Sequence, residues 1–222
     1  MMNPEIDVTY MPPAAAKIFE LLAGQKFISN FTLIGGTALA LQLRHRMSED
    51  LDFVQDDEHL NVNLIKRNIA KLFPNYRIIR YEHSWQIDFI IDDVKVTFFS
   101  SEAVGIPFEV QQFAFAYKNL NICTALVIAS LKLAAIAQRN TIRDYYDLYF
   151  ISKYRISLKE IFVKTKKLIP ELAPITYSET LVYPADLDET SIAAHLAPKE
   201  MVTKEQIAEH FIQELRKIKA EI

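Results

Sequence analysis

Apolar and polar positions change their period several times along the chain, and each change marks an element. FTLIGG (31–36) is a short β-favouring apolar run that ends at two adjacent glycines. After them, Thr37 is placed to cap a helix through ALALQLRHR, with Leu39 and Leu43 one turn apart. In EDLDFV (49–54), Leu51 and Phe53 alternate with Asp50 and Asp52, the period of a strand with one apolar and one acidic face. A helix is predicted over NLIKRNIAKLF (63–73), stopped by Pro74-Asn75. The aromatic and β-branched stretch 76–101 alternates, with a hairpin turn predicted at Asp92-Asp93, so the sheet is expected to grow there by antiparallel strands.

From Thr124 the spacing becomes helical. Leu126, Ile128, Ala129, Leu131, Leu133, Ala134 and Ile136 define one helix, and Arg143-Asp144 leads a second through YYDLYFIS. A third, LKEIFVKTKKLI, stops at Pro170. The stretch from Pro174 to Pro198 predicts short elements at best, and KEQIAEHFIQELRKIKAEI closes the chain as an amphipathic helix. The expected architecture is α/β (α+β): a mixed-sheet core over residues 1–120, and a helical part over 121–222 packed on it.

Composition narrows the classes. Of 222 residues half are hydrophobic and 24% charged, with a net charge of −3, which excludes disordered and collagen-like chains and offers no global field for nucleic acid. The single cysteine, Cys123, excludes an internal disulfide and a Cys-rich zinc site, and points to a reducing compartment. The start of the chain has no basic and apolar leader, and no stretch approaches the roughly 20 apolar residues of a membrane span. The expectation is a cytoplasmic protein without a membrane partner. Only four glycines are present, so the adjacent pair Gly35-Gly36 marks backbone that bends sharply or approaches a ligand closely.

The glycine pair and the Asp50/Asp52 strand are separated by one helix, which places them at neighbouring points of one sheet. That pairing suits phosphoryl chemistry. Backbone N–H groups at a glycine turn and helix start hold phosphates, and carboxylates on one strand face supply oxygen ligands to Mg²⁺. The plain alternatives are an ordinary tight turn and a solvated strand edge, although two acids sharing a face repel each other unless a cation lies between them. Arg44, His45 and Arg46 read either as phosphate-steering charges or as a solvated helix end, Ser48 as a cap into the strand or a substrate contact, and Lys132 as a snorkelling lysine or a functional one. Asp144 suits a helix N-terminus, Asp147 lies one turn from Arg143, and both read first as structural.

IGGTALALQLRHRMSEDLDFV resembles the nucleotidyltransferase superfamily signature, hG[GS] followed after a short helix by Dh[DE]h, with h apolar. GGTAL with R-x-S-E-D-L-D-F resembles more narrowly the AbiEii/AbiGii group of nucleotidyltransferase-like toxins. SLKLAAIAQRNTIRDYYDLYFI resembles that group's C-terminal pattern, and DDVKVTFFSSE a subgroup's D-G-V-K-V-S-F-F. The resemblance implies a polymerase-β-like core and transfer of a nucleoside monophosphate from an NTP to a hydroxyl of tRNA or protein, by the toxin of a toxin–antitoxin or phage-defence pair. It places Gly35, Gly36 and Thr37 on the phosphate-holding turn, with Arg46, Ser48 and Lys132 joining the nucleotide-binding set, and Asp50 and Asp52 on the metal-binding pair. The superfamily's third carboxylate has no counterpart at Thr97 in VKVTFF. Asp88, in WQIDFII on the expected partner strand and sharing a face with Gln86 and Ile90, is the nearest acidic substitute. Without a third acid, the alternative is a catalytically degenerate module that binds NTP or a protein partner.

Overall fold

The computed structural model describes residues 5–139, 141–183 and 197–220. The chain divides into two compact units, residues 1–124 and 125–222.

The first unit is built on a seven-stranded mixed sheet. Its strands are β1 (Thr32–Ile34), β2 (Leu51–Gln55), β3 (Tyr76–Glu82), β4 (Gln86–Ile91), β5 (Val94–Ser100), β6 (Ala114–Tyr117) and β7 (Leu120–Cys123). They lie in the order β3-β4-β5-β2-β1-β7-β6. Antiparallel pairing joins β1 to β2, β3 to β4, β4 to β5 and β6 to β7, while β2–β5 and β1–β7 are parallel. Asp92 and Asp93 both take positive φ, 47° and 64°, the geometry of a two-residue hairpin turn whose twist matches the flanking strands. The predicted hairpin is thus present. A second reversal at His83-Ser84 divides the 76–101 stretch into three strands.

One face of the sheet carries Phe53, Phe89 and Phe98. The Phe53 and Phe98 rings stack at 5.1 Å, and Phe31 and Phe89 meet Phe98 edge-on. Alternation puts Asp52, Thr97 and Asp88 on the opposite face. The unit's helices are α1 (Pro13–Ala23), α2 (Gly35–Leu43) and α3 (Val62–Leu72). α1 opens with a proline in its first turn, where the missing N–H is not needed, and buries Ala15, Ile18, Phe19 and Leu22. The Asn61 side chain caps α3 by accepting from Leu64 N, and α3 ends before Pro74 as expected. α2 departs from expectation at both ends. It starts at Gly35 rather than after a Thr37 cap, and stops at Leu43 because Arg44 turns left-handed, with φ 56°.

The second unit is helical: α4 (Ala125–Ile136), α5 (Ile142–Tyr154), α6 (Leu158–Leu168), α7 (Pro174–Leu181) and α8 (Lys204–Ala220). α4 buries residues around most of its circumference, because α5, α6 and α7 all pack against it. The Ser157 side chain caps α6 by accepting from Glu160 N. α8 is tied to α5 by Ser152 Oγ, 2.7 Å from His210 Nε2, and by the Tyr149 ring set edge-on to His210. Burial holds the His210 imidazole below its usual pKa. Glu200 accepts from Tyr149, Lys153 and Tyr154. Of the stretch predicted to hold only short elements, α7 is observed and residues 184–196 lie outside the described set, as do 221–222 of the predicted last helix.

Candidate active site

The site is assembled where β1 ends. Ile34, the last residue of β1, pairs with Asp52 in the antiparallel register, so the turn that follows folds over this carboxylate. Gly35 takes φ +74°, and a Cβ there would stand 3.2 Å from Asp52 Oδ2. Glycine is required on both counts: the left-handed backbone, and the close approach to a carboxylate. α2 starts at once, and Ile34 at its N-cap contributes no side-chain acceptor, which leaves the first-turn N–H groups directed at the same end of the sheet.

Thr37 fastens the other half of the motif to this turn. Its buried hydroxyl donates to the Asp50 carbonyl and lies 2.9 Å from Ser48 Oγ. Ser48 N donates to the Tyr10 carbonyl at 3.1 Å, which fixes the loop from outside. Gly35, Gly36, Thr37, Ser48, Asp50 and Asp52 are thus brought together by one strand pair and one helix start.

Arg46 joins them by burial. Its Nη1 donates to the Met47 carbonyl at 2.9 Å, and its guanidinium fills the space beside Gly36, where a Cβ would overlap Nη2 and stand 3.2 Å from Ser48 Oγ. The side-chain space at Gly36 is therefore occupied by a cation of the protein itself. Gly36→Ala is expected to lower Tm by displacing this guanidinium, and the loss should shrink when Arg46 is also cut to Ala, since the added methyl then meets only the tight contact with Ser48 Oγ. Thermal unfolding of the four proteins in this cycle is expected to give a coupling of about 1–2 kcal/mol, and purely additive losses would separate Gly36 from Arg46.

Asp88 lies on β4, two strands from Asp52, with Thr97 of β5 between them in one register row. At the usual strand spacing the two Asp Cα atoms are about 10 Å apart on one sheet face. Asp88 is only 3% exposed; Gln86 Nε2 donates to its Oδ1 at 2.8 Å, and Lys95 Nζ stands 3.4 Å from Oδ2. Sequence reasoning placed Gln86 on this face but missed both partners. The Asp92-Asp93 turn was the available signal, since counting out from it sets Lys95 opposite Ile90, on the same face as Asp88 and diagonal to it. Thr97 is also 3% exposed, and among the described residues its Oγ1 has no hydrogen-bond partner. A buried unpaired hydroxyl costs about 1–3 kcal/mol.

Lys132 is held within the second unit. Its Nζ contacts Asp144 Oδ1 at 2.5 Å and Asp147 Oδ2 at 2.8 Å, and Arg139 Nε reaches Asp144 Oδ2 at 3.0 Å. Asp147 is accordingly paired with Lys132, across helices.

Among the described residues, no group of three or more His, Cys, Asp or Glu side chains is arranged to enclose a metal ion. Asp50 and Asp52 do fit Mg²⁺, a hard cation that takes one or two carboxylates and completes its shell with phosphate oxygens and water.

The fold, a mixed seven-stranded sheet with helices, has counterparts among solved structures. The chain is similar to a candidate nucleotidyltransferase from H. pylori, with a TM-score of 0.55 and 18% identity over 95% of this chain and 96% of that one. It is also similar to MenT4, a nucleotidyltransferase toxin from Mycobacterium tuberculosis H37Rv, with a TM-score of 0.51 and 14% identity over 92% and 88% of the two chains. The fold class is that of the nucleotidyltransferases. The chain belongs to the nucleotidyl transferase AbiEii toxin family of type IV toxin–antitoxin systems, whose pattern matches residues 19–219. An uncharacterized protein of Aquifex aeolicus (strain VF5) is 32% identical over 165 residues, covering 72% of this chain and 77% of that protein. The resemblance read from residues 34–54 and 130–151 holds, and the enzyme class with it: a nucleotidyltransferase.

Proposed function

We propose that this protein is a Mg²⁺-dependent toxin that moves a nucleoside monophosphate from an NTP to a hydroxyl of tRNA or of a protein in the cytoplasm, and that a cognate antitoxin restrains it. The observation that supports the proposal is the closeness of Asp52 Oδ2 to the glycine turn, 3.2 Å from where a Cβ of residue 35 would stand, so that backbone suited to phosphate and a carboxylate suited to a metal would act at one point. Family membership supports the toxin role and the antitoxin partner. Among the described residues no helix is long and apolar enough to cross a membrane.

The first-turn N–H groups of α2 hold the triphosphate, and the buried Arg46 guanidinium adds positive charge behind the turn. Asp50 and Asp52 hold Mg²⁺, which when bound neutralises phosphate charge and polarises the α-phosphate. Asp88 receives the proton of the attacking hydroxyl, its carboxylate oriented by Gln86 and Lys95.

The test incubates the protein with each α-labelled NTP, Mg²⁺ and a whole-cell RNA and protein extract, and asks which pool acquires label. Asp88→Asn is expected to leave NTP affinity within a few-fold and to cut turnover by ~100-fold, the scale of losing a general base. Unchanged turnover would remove Asp88 from the mechanism. The occupation of the middle of the row by Thr97 rather than an acid favours a second role, an NTP-binding module without transfer. That role predicts a parent protein that binds NTP and labels neither pool.

A further inference from the structure

The stability of the sheet gives no reason for a polar residue at position 97. Thr97 is buried, and valine has the same shape and the same preference for strands. The hydroxyl is retained without a partner, against the penalty described above. Its position accounts for it. Thr97 is the register partner of Asp52 on one side and of Asp88 on the other, and cross-strand Cβ atoms lie about 4.5–5.5 Å apart. Asp52 and Asp88, about 10 Å apart at Cα, are too distant to share one proton directly. A hydroxyl is the one neutral side-chain group that accepts and donates through a single atom, and threonine sets it midway.

We propose that Thr97 is a catalytic residue that connects the acceptor hydroxyl to Asp88. Its Oγ accepts a hydrogen bond from the acceptor O–H beside Asp52 and donates its own hydrogen to the Asp88 carboxylate. As the acceptor oxygen bonds to the α-phosphorus, the bond from that phosphorus to the bridging oxygen breaks, and its electron pair leaves with pyrophosphate. The acceptor proton passes to Thr97, and the Thr97 proton passes to Asp88, so the threonine is regenerated and the carboxylate ends protonated. Asp88 can accept this bond beside those already present, because a carboxylate offers about four lone-pair sites and Gln86 and Lys95 each engage one oxygen. The orphaned hydroxyl of the free protein thereby acquires partners on both sides in the loaded one.

The connection rests on the proposal that Asp50 and Asp52 hold the nucleotide, and the experiment separates the two. Thr97→Val and Thr97→Ser are made in the full chain and assayed with α-labelled NTP, Mg²⁺ and whole-cell RNA and protein extract, beside Asp52→Asn. Thr97→Val is expected to raise Tm by a few degrees without ligand, to keep the parent's NTP affinity, and to lose ~100-fold in turnover. Thr97→Ser should recover most of that turnover. Transfer that depends on Asp52 but proceeds within twofold of the parent in Thr97→Val overturns the Thr97 connection alone. A Thr97→Ser variant as slow as Thr97→Val also overturns it, since the hydroxyl would then be irrelevant. Absence of any Asp52-dependent transfer overturns both proposals.

Discussion

Asp50→Asn with Asp52→Asn is expected to abolish nucleotide transfer, with a loss of ~10³-fold or more, while leaving the fold intact. Each 1.4 kcal/mol of lost transition-state stabilisation is a factor of ten, and a metal ion on a transferring phosphoryl group supplies several kcal/mol. Neither side chain belongs to the aromatic core of Phe53, Phe89 and Phe98, and the tie between Thr37 and residue 50 uses a backbone carbonyl that asparagine retains. The same variant reads binding. NTP with Mg²⁺ at about 100 times Kd should stabilise the parent by about 2.7 kcal/mol through mass action, seen as a rise in Tm, and should leave the double variant unmoved. A double variant that shows the parent's rise would remove Asp50 and Asp52 from the nucleotide site.

Lys132→Met is expected to destabilise the helical unit by about 3–5 kcal/mol, the usual consequence of removing one partner from a buried ion pair. Two carboxylates, Asp144 and Asp147, are almost wholly buried, and the Lys132 ammonium, 8% exposed, touches both. Arg139 meets Asp144 at 3.0 Å and is itself largely in solvent, so it offsets little of the loss. Neutralising all three positions as Lys132→Met, Asp144→Asn, Asp147→Asn removes the unpaired charges and should recover most of the loss, which urea unfolding will measure. NTP affinity of the stable triple variant then tests whether Lys132 also contacts nucleotide, free of the folding defect. A single Lys132→Met variant as stable as the parent would contradict the buried pairing.

The legible parts of the chain were those whose causes are local. Gly35-Gly36 declared a turn because glycine frees the backbone there, and the alternation in residues 49–54 declared a strand because its period is set by the pleat. The Asp92-Asp93 turn was visible for the same reason. The reversal at His83-Ser84 lacks glycine and proline, and His83 reaches its positive φ, 42°, without them, so three strands read as one hairpin. β6 and β7 are four residues each, too short to show a period, and their place beside β1 depends on a parallel pairing with a distant partner. α1 also went unassigned, although its apolar spacing was present. At the site, residue types on one strand were readable, whereas partners were not. Arg46 against Gly36 and Lys132 against Asp147 arise from tertiary placement, which spacing along a chain does not encode.

β1 and β2 are the middle of the sheet, and each is bounded on its outer side by a strand made much later: β2 by β5, β1 by β7. At translation rates of about 5–20 residues per second, β7 follows β1 by roughly 4–17 s. For most of that interval the glycine turn and the acidic strand have already been polymerised, yet one flank of β1 has nothing to pair with. The nascent chain therefore carries the whole nucleotidyltransferase signature before it carries an assembled sheet. Chains released after Thr97 but short of Leu120 would contain every motif residue of the first unit in a polypeptide with an open central edge, prone to be degraded or to aggregate rather than to act.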